Sequence, residues 1–165
     1  MVLKLSDTQV EKILYHQEIG RLGCYANDLV YVVPINYAYD GCYVYAHTYD
    51  SLKIDIMRIN PNVCFEVDTM HNTSNWQSVT AWGEFEELTD EEERNMGLQI
   101  LMKRMLPAIT CETVKMSYYS SFPPSGPNEI KGIVFRLRLT MKYGRHEMKE
   151  PALFSTSNVV SGIFN

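Results

Sequence analysis

YVVPINYAYDGCYVYAHTYDSLK, residues 31–53, packs two strand-like runs, an Asp-Gly pair and a helix start into one short segment. Asp40-Gly41 supplies the residues favoured at the two positive-φ positions of a type I′ turn, so 29–39 and 42–47 read as an antiparallel hairpin. Pro34 interrupts the first run. A residue without a backbone donor belongs at a sheet edge, a bulge or a bend, and pairing is expected to loosen there.

Working outward, residues 20–26 form a strand that reaches 29–39 through Asn27-Asp28, a pair that tolerates turn geometry. Ahead of it, Ser6 with Gln9 three residues on predicts a capping box, followed by a helix burying Val10, Ile13 and Leu14. On the other side, Ser51 is placed to cap a helix whose Leu52, Ile56 and Ile59 share a face and which Asn60-Pro61 ends. Val63, Phe65 and Val67 alternate with Cys64, Glu66 and Asp68 in a half-buried strand over 63–70. In the next strand, 76–86, Trp76, Ser78, Thr80 and Trp82 lie opposite Gln77, Val79, Ala81 and Phe85. Thr89, with Glu92 at its box position, predicts the start of the clearest helix, whose first-turn acids are balanced by Lys103 and Arg104. Further helix to about 120, a Pro-rich loop at 122–129 and a last strand at 130–142 follow, with Ile133, Phe135, Leu137, Leu139 and Met141 inward. Six strands joined mostly by antiparallel connections, with three or four helices, give class α+β: a small β-barrel with helices packed outside.

The 165 residues suit one domain, taken as 1–150 with a tail at 151–165, and long enough to close a core without disulfides or metal. No apolar run approaches the roughly 18 to 20 residues of a membrane-spanning helix, and the N-terminus lacks a secretory core, so no membrane association and a cytoplasmic location are expected. A net charge of −5 gives no global attraction for phosphate backbones, and nucleic acid is not expected as a partner. The cysteines at 24, 42, 64 and 111 contain no Cys-x-x-Cys pair, and three fall in apparent strands as small reduced hydrophobes. No metal site is expected, since His16, His71 and His146 lack ligand partners at diagnostic spacing.

Seven of the 11 tyrosines lie between positions 25 and 49, which fits either strand propensity or a partly wet interface or ligand wall. Pro34 is either a plain edge proline or a break that frees backbone groups for the edge of a heteroaromatic ring. His47, Thr48, Ser51 and Lys53 bring hydroxyls and cations to a helix start, as a phosphate requires, although solvated caps share that pattern. His47 fits a phosphate contact, a proton donor or a strand-end histidine. No Gly-x-Ser-x-Gly elbow, Gly-x-Gly-x-x-Gly or Gly-Lys-Ser loop is present.

GRLGCYAND, VVPINYAYDGCYVYAHT, SLKIDIMRINPNVCFEV and WQSVTAWGEFEEL, in this order, with YGRHE at the end of the last strand, resemble the FMN-binding split barrels related to pyridoxamine-phosphate oxidase. Among these the chain is similar to the nitroimidazole-resistance type. The resemblance implies a six-stranded antiparallel split barrel and a homodimer with FMN at the subunit interface. Val33, Pro34, Ile35 and Asn36 would face the flavin ring. His47, Thr48, Ser51, Leu52 and Lys53 would surround its phosphate, and Trp76, Gln77 and Ser78 would approach from the same or the other subunit. It implies an oxidoreductase acting on a small electron-poor substrate such as a nitroaromatic or quinone, with His47 or a nearby tyrosine as candidate proton donor. The alternative is a non-catalytic flavin or haem binder, with His47 or His71 as axial ligand. The arginine-and-serine-rich segment with which the oxidase holds pyridoxal phosphate is missing, as are its characteristic C-terminal tryptophan and arginine arrangement and its strand-two phosphate arginine. Vitamin B6 oxidation is not expected.

Overall fold

The run at 29–39 does not stay in one ladder but divides at Tyr37, and the division sets the topology. In the computed structural model, which describes residues 1–109 and 131–148, the chain forms β1 (Val2–Lys4), α1 (Asp7–His16), β2 (Ile19–Ala26), β3 (Leu29–Asn36), β4 (Ala38–Tyr39), β5 (Tyr43–Thr48), α2 (Leu52–Ile59), β6 (Asn62–Asn72), β7 (Asn75–Glu87), α3 (Glu91–Ile109) and β8 (Ile133–Met148). The strands form one antiparallel sheet in the order β3-β2-β6-β7-β8-β5-β4, with β1 added to the end of β8. The sheet therefore has eight strands where six were expected. The six long ones match the sequence reading. β1 and β4 add three and two residues, too few for any alternation to show. The expected helix to 120, the Pro-rich loop, Cys111 and the 151–165 tail lie outside the described residues.

β3 pairs with β2, whereas β4 pairs with β5. Only Tyr37 separates β3 from β4, yet they stand at opposite ends of the pairing order. The sheet must therefore curl until its two edges meet at one corner, with no ladder joining them among the described residues. Tyr37 pins that corner. Its amide donates to the Glu18 carbonyl (3.1 Å), its buried hydroxyl donates to the Leu14 carbonyl (2.7 Å), and its ring meets Phe65 edge-on at 5.0 Å.

Inside the curl Leu22, Phe65, Val67, Val79, Phe135 and Leu137 form the main core, closed by Val10, Ile13 and Leu14 of α1. Complete burial of Phe65 and Phe135 stabilises the fold by about 1.5–3 kcal/mol each relative to exposure. A second cluster of Leu98, Leu101, Val134 and Tyr45 packs α3 against β5 and β8.

Three local expectations change. The type I′ geometry lies at Asn27-Asp28, both at positive φ (50° and 61°), whereas at the second hairpin only Gly41 has it (105°). There the Asp40 carboxylate accepts from the Cys42 and Tyr43 amides (2.9 and 2.7 Å), building the turn from its side chain. Cys42 is thus exposed in the turn, not in a strand. The third helix is capped by Asp90, not Thr89: its carboxylate accepts from the Glu92 and Glu93 amides, each at 3.0 Å. In α2 the buried face is Ile54, Ile56 and Met57, leaving Leu52 (47%) and Ile59 (61%) exposed. Two apolar stripes compete on so short a helix, and the main core takes Ile54, Ile56 and Met57.

A bulge breaks the β7–β8 register: Trp82 faces Met141 and Gly83 faces Leu139, leaving Thr140 unopposed. One extra residue reverses the faces of β8 beyond it. Met141 is therefore outward (56% exposed), correcting its expected place in the core. Lys142 turns inward, where its ammonium meets Glu11 of α1 (2.6 Å) and the Tyr39 hydroxyl (2.5 Å). No described helix is long and apolar enough to cross a membrane.

Candidate functional site

β3 ends the pairing order, so the Pro34 position, which lacks a donor, falls on an edge strand as its chemistry requires. Val33 and Ile35 turn toward the core, whereas Pro34 and Asn36 are exposed. In register Pro34 faces Arg21 of β2.

The second group gathers where β5 leads into α2. Ser51 occupies the N-cap position but makes no side-chain cap bond, so its hydroxyl does not satisfy the first-turn N–H groups. It accepts instead from Lys53 Nζ at 3.1 Å. Lys53 is half-buried, and among the described residues no carboxylate lies within ion-pair distance of its ammonium. Burial pushes its pKa down, opposed only by the nearby Cys24 thiol. Cys24 in turn donates its S–H to the Tyr31 carbonyl of β3 (3.7 Å). Lys53, Cys24 and Tyr31 thus join the α2 start to the inner wall of β2 and β3. An under-compensated half-buried cation beside a hydroxyl and uncapped helix amides is the chemistry of an anion cradle.

His47 and Thr48 end β5, opposite Val134 and Ile133. His47 Nε2 lies 2.8 Å from the Lys131 carbonyl. A carbonyl only accepts, so Nε2 carries the proton and donates it. Burial pushes the imidazole pKa down, the Lys131 bond opposes this, and the Arg94 charge adds to the lowering. The nitrogen that a proton donor would use is thus engaged with backbone.

The third group stands apart. Trp76, Gln77 and Ser78 lie on β7, three strands from β3, roughly 14 Å at the usual strand spacing. Ser78 Oγ donates to Glu66 (2.9 Å). Glu66 and Asp68 together hold Arg21, the first at 3.0 Å. Residues of this alternation face out, so Trp76 and Ser78 share the outer face with Arg21, while Gln77 points inward between Thr69 and His146 in register. Lys53 thus neighbours the inner wall at Cys24 and Tyr31, whereas Pro34 and Asn36 lie on the outer face with Arg21, the face that also carries Trp76 and Ser78.

The sequence does not single out Arg21, Glu66 and Asp68, whose coupling depends on strand order, or Gly132, where a Cβ would meet His47 and Thr48, more than 80 residues away in the chain. Next to Arg21, an outward hollow of about 650 Å³ is lined by Gly23, Tyr25, Val30, Val32, Cys64 and Trp82. Among the described residues no three His, Cys, Asp or Glu side chains converge on a metal position. His71, the other candidate haem ligand, is exposed on β6.

Comparison with known proteins gives a consistent family. Residues 6–134 match the family described as pyridoxamine 5′-phosphate oxidase. An uncharacterized protein of Rhizobium meliloti (strain 1021) is 32% identical over 84 residues, 51% of this chain and 56% of that protein, so the match spans about half the length of the curated relative. A FAD-binding protein from Mesorhizobium loti superposes with a TM-score of 0.70 at 28% identity, covering 88% of this chain and 98% of that one. A protein from Bacteroides thetaiotaomicron described as a candidate for 5-nitroimidazole antibiotic resistance gives 0.67 at 18% identity, covering 88% and 87%. A FAD and haem binding protein from Mycobacterium smegmatis gives 0.65 at 13% identity, covering 88% and 72%; at such identities these last two establish the fold alone.

Proposed function

Because the chain belongs to the pyridoxamine 5′-phosphate oxidase family, we propose that it is a flavin-dependent oxidoreductase of small electron-poor substrates, nitroaromatic or quinone-like, working as a homodimer with FMN at the subunit interface. The observation that carries the reading is Lys53: a half-buried ammonium with a hydroxyl at 3.1 Å and no carboxylate partner among the described residues. A flavin phosphate supplies the missing charge. Ser51, the amides of Leu52 and Lys53, and Thr48 surround that phosphate in this reading. Val33, Pro34, Ile35 and Asn36 offer the β3 edge to the ring, whose polar rim fits backbone groups that no strand pairs.

When bound, the flavin supplies the electron-transfer chemistry, and the protein supplies orientation and electrostatics. Trp76 and Ser78 lie on the outer face of β7, whereas Lys53 neighbours the inward-facing Cys24 of β2, which supports a site completed by a second copy. Half-buried Lys53 also holds positive charge on the phosphate side of the pocket, which favours an anionic cofactor over a neutral one.

FAD is the second reading, favoured by the FAD-binding relative from Mesorhizobium loti at 28% identity. Both flavins place a phosphate at the first position after the ribityl chain, so the same cradle serves either. The test is the absorption spectrum of protein purified without added cofactor, followed by chromatographic identification of the released flavin. A flavin spectrum with FMN released is the expected result. Colourless protein that takes up neither FMN nor FAD on titration overturns the reading.

A further inference from the structure

At the corner where β5 ends beside the start of β8, two side chains hold two successive carbonyls. His47 Nε2 donates to Lys131 O at 2.8 Å, and Arg94 Nη2 donates to Gly132 O at 3.4 Å. Gly132 sits at φ +110°, where a side chain is strained. A Cβ there would also lie 2.7 Å from His47 Nε2 and 2.7 Å from the Thr48 carbonyl. Glycine is thus required twice over, by its backbone conformation and by the imidazole pressed against it. The contact brackets both residues that end β5, so the position from which the chain turns toward Ser51 and Lys53 is set from the β8 side.

We propose that His47 is a positioning residue of the anion cradle: its Nε2–H bond to the Lys131 carbonyl, possible only because residue 132 is glycine, fixes the 48–51 turn that presents Thr48, Ser51 and Lys53 to a cofactor phosphate. This rests on the reading of that cradle given above. A proton-donor role competes poorly with it, since donating the Nε2 proton would break the bond that places the ring. Burial, which lowers the imidazole pKa, keeps the ring neutral and able to hold a single donor tautomer.

Riboflavin, which lacks the phosphate, separates positioning of the cradle from general support of the fold. Dissociation constants for FMN and riboflavin are measured by fluorescence quenching on cofactor-free dimer. The wild type is expected to prefer FMN by about 10- to 100-fold. His47→Leu, which keeps bulk and removes the donor, reduces that preference about fivefold while leaving riboflavin binding unchanged. His47→Gln, whose amide can place an N–H near the Nε2 position, restores most of it. Gly132→Ala acts like His47→Leu by displacing the ring. Equal preference in wild type and His47→Leu overturns the positioning role and leaves the cradle standing, whereas a wild type that binds FMN and riboflavin alike overturns the cradle and this inference together. Should the variants fail to fold, ¹⁵N resonances of wild-type His47 decide: an Nε2–H tautomer retained on FMN addition is expected, and loss of the Nε2 proton to the ligand overturns the proposal.

Discussion

At the scale of single residues, the proposed cradle makes Lys53 the test of a site held at the expense of the empty fold. Its half-buried ammonium has a hydroxyl partner but no carboxylate among the described residues, and burial lowers its pKa. A depressed lysine pKa means that the folded state binds the proton less tightly than the unfolded chain, so at neutral pH the charge opposes folding. Lys53→Met keeps the apolar stem and removes the charge. In cofactor-free protein it should raise the thermal midpoint by about 2 °C, an advantage that shrinks as pH rises toward the ordinary lysine value and the wild-type group discharges. The same change should weaken FMN binding by about 1–3 kcal/mol. Calorimetric melts at neutral and alkaline pH, with flavin titrations alongside, check both. A variant less stable than wild type in the cofactor-free state would mean that Lys53 has a structural task. Stabilisation together with lost binding is the signature of a functional residue.

At the scale of elements, the β7–β8 bulge organises the far half of the sheet. A Cβ at Gly83 would lie 2.3 Å from the Arg138 carbonyl, a backbone atom that cannot rotate away. Gly83→Ala must therefore reopen the ladder at the bulge, and a cost of about 2–4 kcal/mol in chemical denaturation is expected. A change below about 0.5 kcal/mol would show that the ladder yields freely there. Gly83 also marks the limit of what the sequence makes legible. The six long strands, the Ser6 capping box and both hairpins follow from alternation and local turn chemistry, which depend only on neighbours in the chain. The side-chain-built turn at Asp40, the shift of the cap from Thr89 to Asp90 and the outward turn of Met141 do not. The first two turn on which of several neighbouring side chains bonds the local amides, and the third on a bulge against β7, a strand distant in sequence. The candidate site divides in the same way. The hydroxyls and lysine at 51–53 are readable as a local group, whereas the Arg21–Glu66–Asp68 cluster requires β2 beside β6.

At the scale of the whole molecule, the outer face of β3, β2, β6 and β7 carries the strongest prediction about assembly. Val30 (70%) and Val32 (60%) are largely exposed, and with Tyr25, Trp82 and the hollow of about 650 Å³ they make a continuous apolar surface. Monomers seldom leave apolar patches beyond a few hundred Å² uncovered. A second copy is the partner proposed to complete the divided site, since the same outer face carries Trp76 and Ser78, whereas Lys53 neighbours the inward-facing Cys24. A symmetric dimer would need about 800 Å² from each copy. Sedimentation should give the mass of two chains at micromolar concentration. Trp82→Asp combined with Val32→Asp puts like charges and unpaired carboxylates into that surface without entering the core, and should give a folded single chain by circular dichroism. If the flavin site is shared, this variant loses flavin although every cradle residue is intact. A wild type that sediments as one chain would overturn the dimer. A folded, monomeric variant that keeps wild-type flavin affinity would instead place the whole site within one chain.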